Sequence, residues 1–107
     1  MKCIISIELG TNAIRVVAFD LKGIVIGSLK GYCPTFHSEP DSSEQDPDQL
    51  FITMLYVLKN LLNDFVYPKK YVVISICFSA SMHSVLATDK NGNPIGNAIT
   101  WSDNRAK

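Results

Sequence analysis

Tyr71-Val-Val-Ile-Ser-Ile-Cys-Phe78 is the most strand-like run in this chain, and it is reached through a helix rather than a tight turn. A strand entered that way can lie parallel to an earlier strand through a right-handed crossover, whereas strands joined by two or three residues lie antiparallel. The earlier strands are of the second kind. Lys2 to Leu9 is rich in β-branched residues and apolar on both faces, which suits a central strand. Ala13 to Phe19 and Ile24 to Leu29 follow across short connections at Gly10 and Gly23. The expected fold is α/β with a mixed sheet: three antiparallel strands, a crossover helix and a buried parallel strand. A further hairpin is expected from Val85–Thr88 and Ala98–Trp101 across Asn91-Gly-Asn-Pro94.

The crossover helix has clear punctuation. Asp46 suits the N-cap, Pro47 the first helical position, and Gln49 the third, where it can return a bond to the cap. Leu50, Met54, Val57, Leu61 and Phe65 share one face, widened by Phe51, Leu55, Leu58 and Leu62, and Pro68 stops the helix. So broad an apolar face covers a sheet. Its polar positions (Lys59, Asn60, Asn63, Asp64) carry too little positive charge for a membrane-surface helix. Between the third strand and this helix, residues 31–45 read as a loop of functional length.

At 107 residues the chain is one domain at most. One helix cannot cover both faces of the expected sheet, which points to a partial domain. Ten basic residues balance ten acidic ones, so no overall field favours nucleic acid or an anionic membrane, and any anion site must be local. Cys3, Cys33 and Cys77 form no Cys-x-x-Cys pair, and Cys3 and Cys77 sit in apolar runs. That usage suits a reducing compartment without a disulfide framework or zinc ribbon. The N-terminal apolar stretch is broken by Glu8 and Arg15, unlike a signal peptide, and no stretch approaches the roughly 20 apolar residues of a membrane span. The cytoplasm is the expected location.

The short polar turn from Glu8 to Asn12 is the first candidate site. Gly10 can take φ > 0 and lets the backbone approach a ligand. Thr11 and Asn12 add a hydroxyl and an amide, and neighbouring N–H groups can converge on an anion. Arg15 supplies a fixed positive charge suited to phosphate. On residue types alone, an ordinary hairpin turn accounts for the same stretch.

Five segments in order carry a family resemblance: Glu8-Leu-Gly-Thr-Asn12; Phe19-Asp20 with Gly23; Glu44-Gln-Asp-Pro47; Ser79-Ala-Ser-Met-His-Ser84; and Ile99-Thr-Trp-Ser-Asp-Asn-Arg105. The chain resembles the N-terminal part of the FGGY carbohydrate kinases, of the actin-like, ribonuclease-H-like ATPase fold, nearest in pattern to gluconate kinases and then xylulose kinases. The resemblance implies a two-lobed, ATP- and Mg2+-dependent kinase that phosphorylates a sugar or sugar acid, with gluconate to 6-phosphogluconate first and xylulose or another sugar as the alternative. Residues 1–107 would be the N-terminal portion of the first lobe. The family's catalytic aspartate lies beyond position 107, so this stretch alone is expected to be inactive.

By the same resemblance, Gly10, Thr11, Asn12 and Arg15 would hold the ATP phosphates. Glu8, where the family has aspartate, would stand near Mg2+, directly or through water. A strand-end carboxylate that only caps the turn is the other reading of Glu8. Met82, His83, Trp101, Asp103 and Arg105 would line the sugar site, with Arg105 able to pair with a carboxylate such as that of gluconate. Taken alone, His83 reads as a structural histidine, Trp101 as core packing and Arg105 as a solvated charge. A non-enzymatic alternative remains: a half-domain that binds a partner or forms a homodimer through uncovered sheet surface.

Overall fold

The computed structural model describes residues 1–80 and 83–106. Its centre is a four-stranded sheet of β1 (Lys2–Leu9), β2 (Ala13–Asp20), β3 (Val25–Tyr32) and β5 (Val72–Ser79), in the order β3-β2-β1-β5. β1 pairs antiparallel with β2, and β2 with β3, as their short connections require. β5 runs parallel to β1 on its other side. The crossover between them carries helix α1 (Pro47–Leu61) and one π-helical turn, Leu62–Val66. The alternation of β1 and β2 sends Cys3, Ile5, Ile7, Ile14, Val16 and Ala18 into one core, closed by Val57, Leu61 and Val66.

Asp46 caps α1 as expected, its Oδ1 accepting from the N–H groups of Asp48 at 3.0 Å and Gln49 at 3.4 Å. The Gln49 side chain does not return to the cap; it donates to Thr53 Oγ1 at 3.3 Å. The buried face is narrower than the sequence suggests, because α1 lies over β2 and β3 and leaves Phe51 and Leu55 exposed. Gly31 on β3 permits that close approach. A Cβ there would lie 2.6 Å from Val57 Cγ2 on α1.

Three further expectations are corrected. β5 is parallel but not buried: with α1 over the opposite half of the sheet, Ile74, Ile76 and Phe78 stay exposed, and Cys77 with them. The stretch 31–45 is not all loop, since β3 reaches Tyr32 and Glu44–Gln45 form a short strand, β4. The hairpin is reduced to single bridges, Val85 with Ile99 and Thr88 with Pro94, around a turn in which the Asp89 carboxylate accepts from Asn91 and Asn93. Ala98–Ile99 instead form β6 and pair antiparallel with β4, Glu44 opposite Ile99 and Gln45 opposite Ala98. No helix among the described residues is long and apolar enough to cross a membrane.

Candidate functional site

The β1–β2 turn is held by its own backbone first. The Gly10 N–H donates to the Ala13 carbonyl at 2.9 Å. Gly10 does not use positive φ, which is confined among the glycines to Gly23 and Gly92. Its requirement is space: a Cβ would lie 2.7 Å from the Ala13 oxygen. Three outside groups then brace the turn. Gln45 Nε2 donates to the carbonyls of Thr11 at 2.6 Å and Gly10 at 3.2 Å. The Thr35 hydroxyl also donates to the Thr11 carbonyl, and the Thr35 N–H to Asn12 Oδ1 at 3.3 Å. Trp101 Nε1 donates to Thr11 Oγ1 at 3.4 Å.

What remains unused is as informative. Among the described residues, the N–H groups of Thr11 and Asn12 make no hydrogen bond. They are adjacent donors on a fixed turn, an arrangement able to receive an anion. Glu8 and Arg15 stand opposite each other in the β1–β2 register, with Ser79 beside Glu8 and Lys30 beside Arg15. All four are exposed, so a polar row crosses all four strands close to the turn. Neither Glu8 nor Arg15 is in an ion pair among the described residues, which leaves both charges available. Lys30 had no motif to mark it, and only the strand register reveals its place.

The segment after β6 is built differently. Ser43 is buried, and its hydroxyl lies 2.6 Å from Thr100 Oγ1 and 2.7 Å from Ser102 Oγ; those two are 3.0 Å apart. Asp103 Oδ2 accepts from the Ser43 N–H at 2.7 Å. Arg105 Nε donates to both carboxylate oxygens of Asp103, at 3.2 and 3.0 Å, and its Nη2 lies 3.0 Å from Glu44 Oε2. The Arg105 guanidinium, followed by the Ser43 N–H, pulls the Asp103 carboxyl down to about 2. Asp103 therefore raises the Arg105 pKa in return. Arg105 is thus engaged by two carboxylates of its own chain.

The other predicted residues are less closely joined. Trp101 is 58 % exposed, so it is not core packing; its indole reaches the turn instead. His83 is exposed, at a left-handed φ of 59° that non-glycine residues adopt at a cost, and hydrogen-bonds to neither the turn nor the 100–105 segment. Met82 lies outside the described residues. A cleft of about 360 Å³ opens beside the turn, lined by Leu9, Gln45, Leu50, Ser84, Val85 and Ala98. A groove of about 450 Å³ between β3 and α1 touches none of the predicted site residues. No cluster of three or more His, Cys, Asp or Glu suited to a metal occurs among the described residues. Glu8 alone fits only an ion held mainly by phosphates and water, as Mg2+ commonly is.

Sequence reasoning missed Gln45 as part of the site. It lies in a quoted motif, but nothing local says that its side chain reaches the turn 34 residues away.

Over residues 3–107 the sequence matches the FGGY family of carbohydrate kinases, N-terminal domain. It is 36% identical over 102 residues to a xylulose kinase of Staphylococcus epidermidis, covering 95% of this chain and 20% of that protein. It is 30% identical over 103 residues to a gluconokinase of Bacillus subtilis, covering 96% and 20%. A ligand-bound xylulose kinase from Lactobacillus acidophilus superposes with a TM-score of 0.88 at 26% identity, over 97% of this chain and 20% of that one. The chain spans about a fifth of the length of the relatives it matches.

Proposed function

The chain belongs to the FGGY family of carbohydrate kinases, and on that premise we propose that the full-length protein transfers the γ-phosphoryl group of ATP to a hydroxyl of a sugar or sugar acid. Residues 1–107 form the N-terminal portion of its first lobe and supply the phosphate-side turn and part of the sugar side. The observation that carries this reading is the pair of unpartnered N–H groups at Thr11 and Asn12 on a turn whose carbonyls are held from behind. Phosphoryl transfer is mostly positioning and charge neutralisation, so fixed backbone donors with a nearby cation are what the chemistry requires.

In this reading the Thr11 and Asn12 N–H groups and the Thr11 hydroxyl receive phosphate oxygens, and Arg15 offsets their charge. Bound Mg2+ would neutralise the phosphates further, and Glu8 is the residue here that would face it. Met82, His83, Trp101 and Asp103 line the sugar side. The catalytic aspartate comes from the remaining part of the protein. Three cysteines free of disulfides suit a cytoplasmic enzyme.

Two readings of the acceptor differ in charge. Gluconate is supported by the Ser-Met-His-Ser and Ile-Thr-Trp-Ser-Asp-Asn-Arg segments and by the gluconokinase relatives. A neutral sugar such as xylulose is favoured by the geometry, because Arg105 already faces Asp103 and Glu44 and offers no uncompensated charge to a substrate carboxylate. The deciding experiment is an ATP-consumption assay of the full-length protein, with Mg2+, against gluconate, xylulose and other sugars. Turnover of one of them is expected, and no turnover with any acceptor would remove the kinase reading.

A further inference from the structure

Gln45 is 5 % exposed, and its amide Nε2 donates to two main-chain oxygens of the turn. Carbonyl oxygens only accept, so the amide nitrogen, not the amide oxygen, must face them. The backbone that presents this side chain is fixed on both sides. Gln45 is paired with Ala98 in the β4–β6 ladder, and the next residue, Asp46, caps α1. The donor is therefore delivered from two elements rather than from a loop.

The consequence lies in the geometry of the peptide unit. A trans peptide is planar and its N–H points opposite to its C=O. No peptide bond among the described residues is cis. Drawing the Gly10 and Thr11 carbonyls onto one atom therefore turns the Thr11 and Asn12 N–H groups away from it, out of the protein body. Without that atom, the Gly10 carbonyl would lose its side-chain donor and turn toward water, and the Thr11 carbonyl would be held by the Thr35 hydroxyl alone. Gly10 makes such a turn easy, because glycine crosses backbone regions closed to other residues. A flipped Gly10–Thr11 peptide would present an oxygen, not an N–H, on the outer side, where it would repel a phosphate.

We propose that Gln45 is a positioning residue for phosphoryl transfer: its amide locks the two peptide planes whose N–H groups receive the phosphates. The assignment rests on the kinase reading above and adds to it a residue that touches neither nucleotide nor sugar. Because Gln45 acts on the phosphate side, its loss falls on kcat and on ATP rather than on the sugar.

The test uses the full-length enzyme with Gln45→Met and Gln45→Glu, each checked by thermal melting. Gln45→Met keeps the length of the side chain and removes its donors. It is expected to lower kcat about 100-fold, as misplacement of a transferring group does, while the KM for the sugar moves less than about threefold. Gln45→Glu places a carboxylate against two carbonyls and fails at pH 8. Burial and the neighbouring acids Glu44 and Asp46 raise the pKa of such a carboxyl, and its protonated form has an O–H to donate. The ratio of Gln45→Glu to wild-type kcat should therefore rise about tenfold from pH 8 to pH 6. A Gln45→Met enzyme with wild-type kcat overturns the proposal. So does a Gln45→Glu ratio that stays flat with pH, and that measurement decides the matter if Gln45→Met does not fold. An inactive wild type overturns the kinase reading and this proposal with it, whereas an active wild type with unaffected variants overturns this proposal alone.

Discussion

In the Gly10–Asn12 turn, carbonyls are taken up from behind by Gln45 and Thr35, while two N–H groups and the nearby Arg15 are left open. In the Thr100–Arg105 segment the reverse holds. Its hydroxyls bond to one another and to Ser43, and its one cation is closed in by Asp103 and Glu44. The first arrangement leaves donors and a cation free for a ligand that brings negative charge. The second is a self-satisfied scaffold which, under the proposed function, would offer a sugar neutral hydrogen bonds and an indole edge, but little charge. Residue types alone do not separate these cases; partners do.

The largest effect should come from the open side. Arg15→Ala in the full-length enzyme is expected to lower kcat about 100-fold, the scale on which single charge-stabilising groups act in such sites. Steady-state kinetics with saturating sugar would measure it. An unchanged kcat would mean that the turn is prepared for something other than phosphate. On the closed side the expected effect is on stability. Ser43→Ala removes the hydroxyl that joins Thr100 to Ser102 in a buried position and should cost about 1–3 kcal/mol, read by chemical denaturation. A loss near zero would show the cluster to be solvated and would weaken the contrast.

Much of the sheet was legible because its signals are local. The turns at Gly10 and Gly23 dictate antiparallel neighbours, the Asp46-Pro47 start and its apolar spacing dictate the helix, and a strand reached through that helix has to cross over. What escaped is the part with no local signal. β4 and β6 are two residues each and pair across more than fifty positions, so no periodicity could announce them. Their pairing is nonetheless what places Gln45 under the turn and Glu44 beside Arg105. The exposure of β5 was hidden for another reason. Its apolar run reports what a strand is suited to pack against, not whether these residues supply it. Asp103 and Arg105 were legible as polar site residues, but their mutual pairing, two positions apart, depends on a bend after Thr100 that composition does not encode.

The closed cluster can also be opened by acid, and the direction is set by Asp103. Its carboxyl is held at about 2 in the folded protein, below its ordinary value of 3.8. The contribution of the pair is therefore present above pH about 4 and disappears as pH falls toward the folded value. Urea midpoints of wild type and Asp103→Asn should differ at pH 5, differ less at pH 3, and converge only as the pH reaches about 2. A difference that stays constant across this range would mean that the carboxylate is not what holds Arg105.

The smallest effect sharpens the contrast most directly, because it bears on what the closed side will accept. Glu44 lies on the strand that also carries Gln45, with its side chain on Arg105 and the next one under the turn. Glu44→Gln removes one of the two negative charges on the guanidinium and leaves Asp103 in place. If internal neutralisation is what disfavours an anionic sugar, the ratio of kcat/KM for gluconate over xylulose should rise. The gain should be modest, at most about fivefold, since a partly exposed ion pair is worth about 1 kcal/mol or less. The phosphate side should not respond, and the KM for ATP should stay where it was. A ratio that does not move, or moves toward the neutral sugar, would show that Arg105 never meets the acceptor and that the 100–105 segment selects by shape alone.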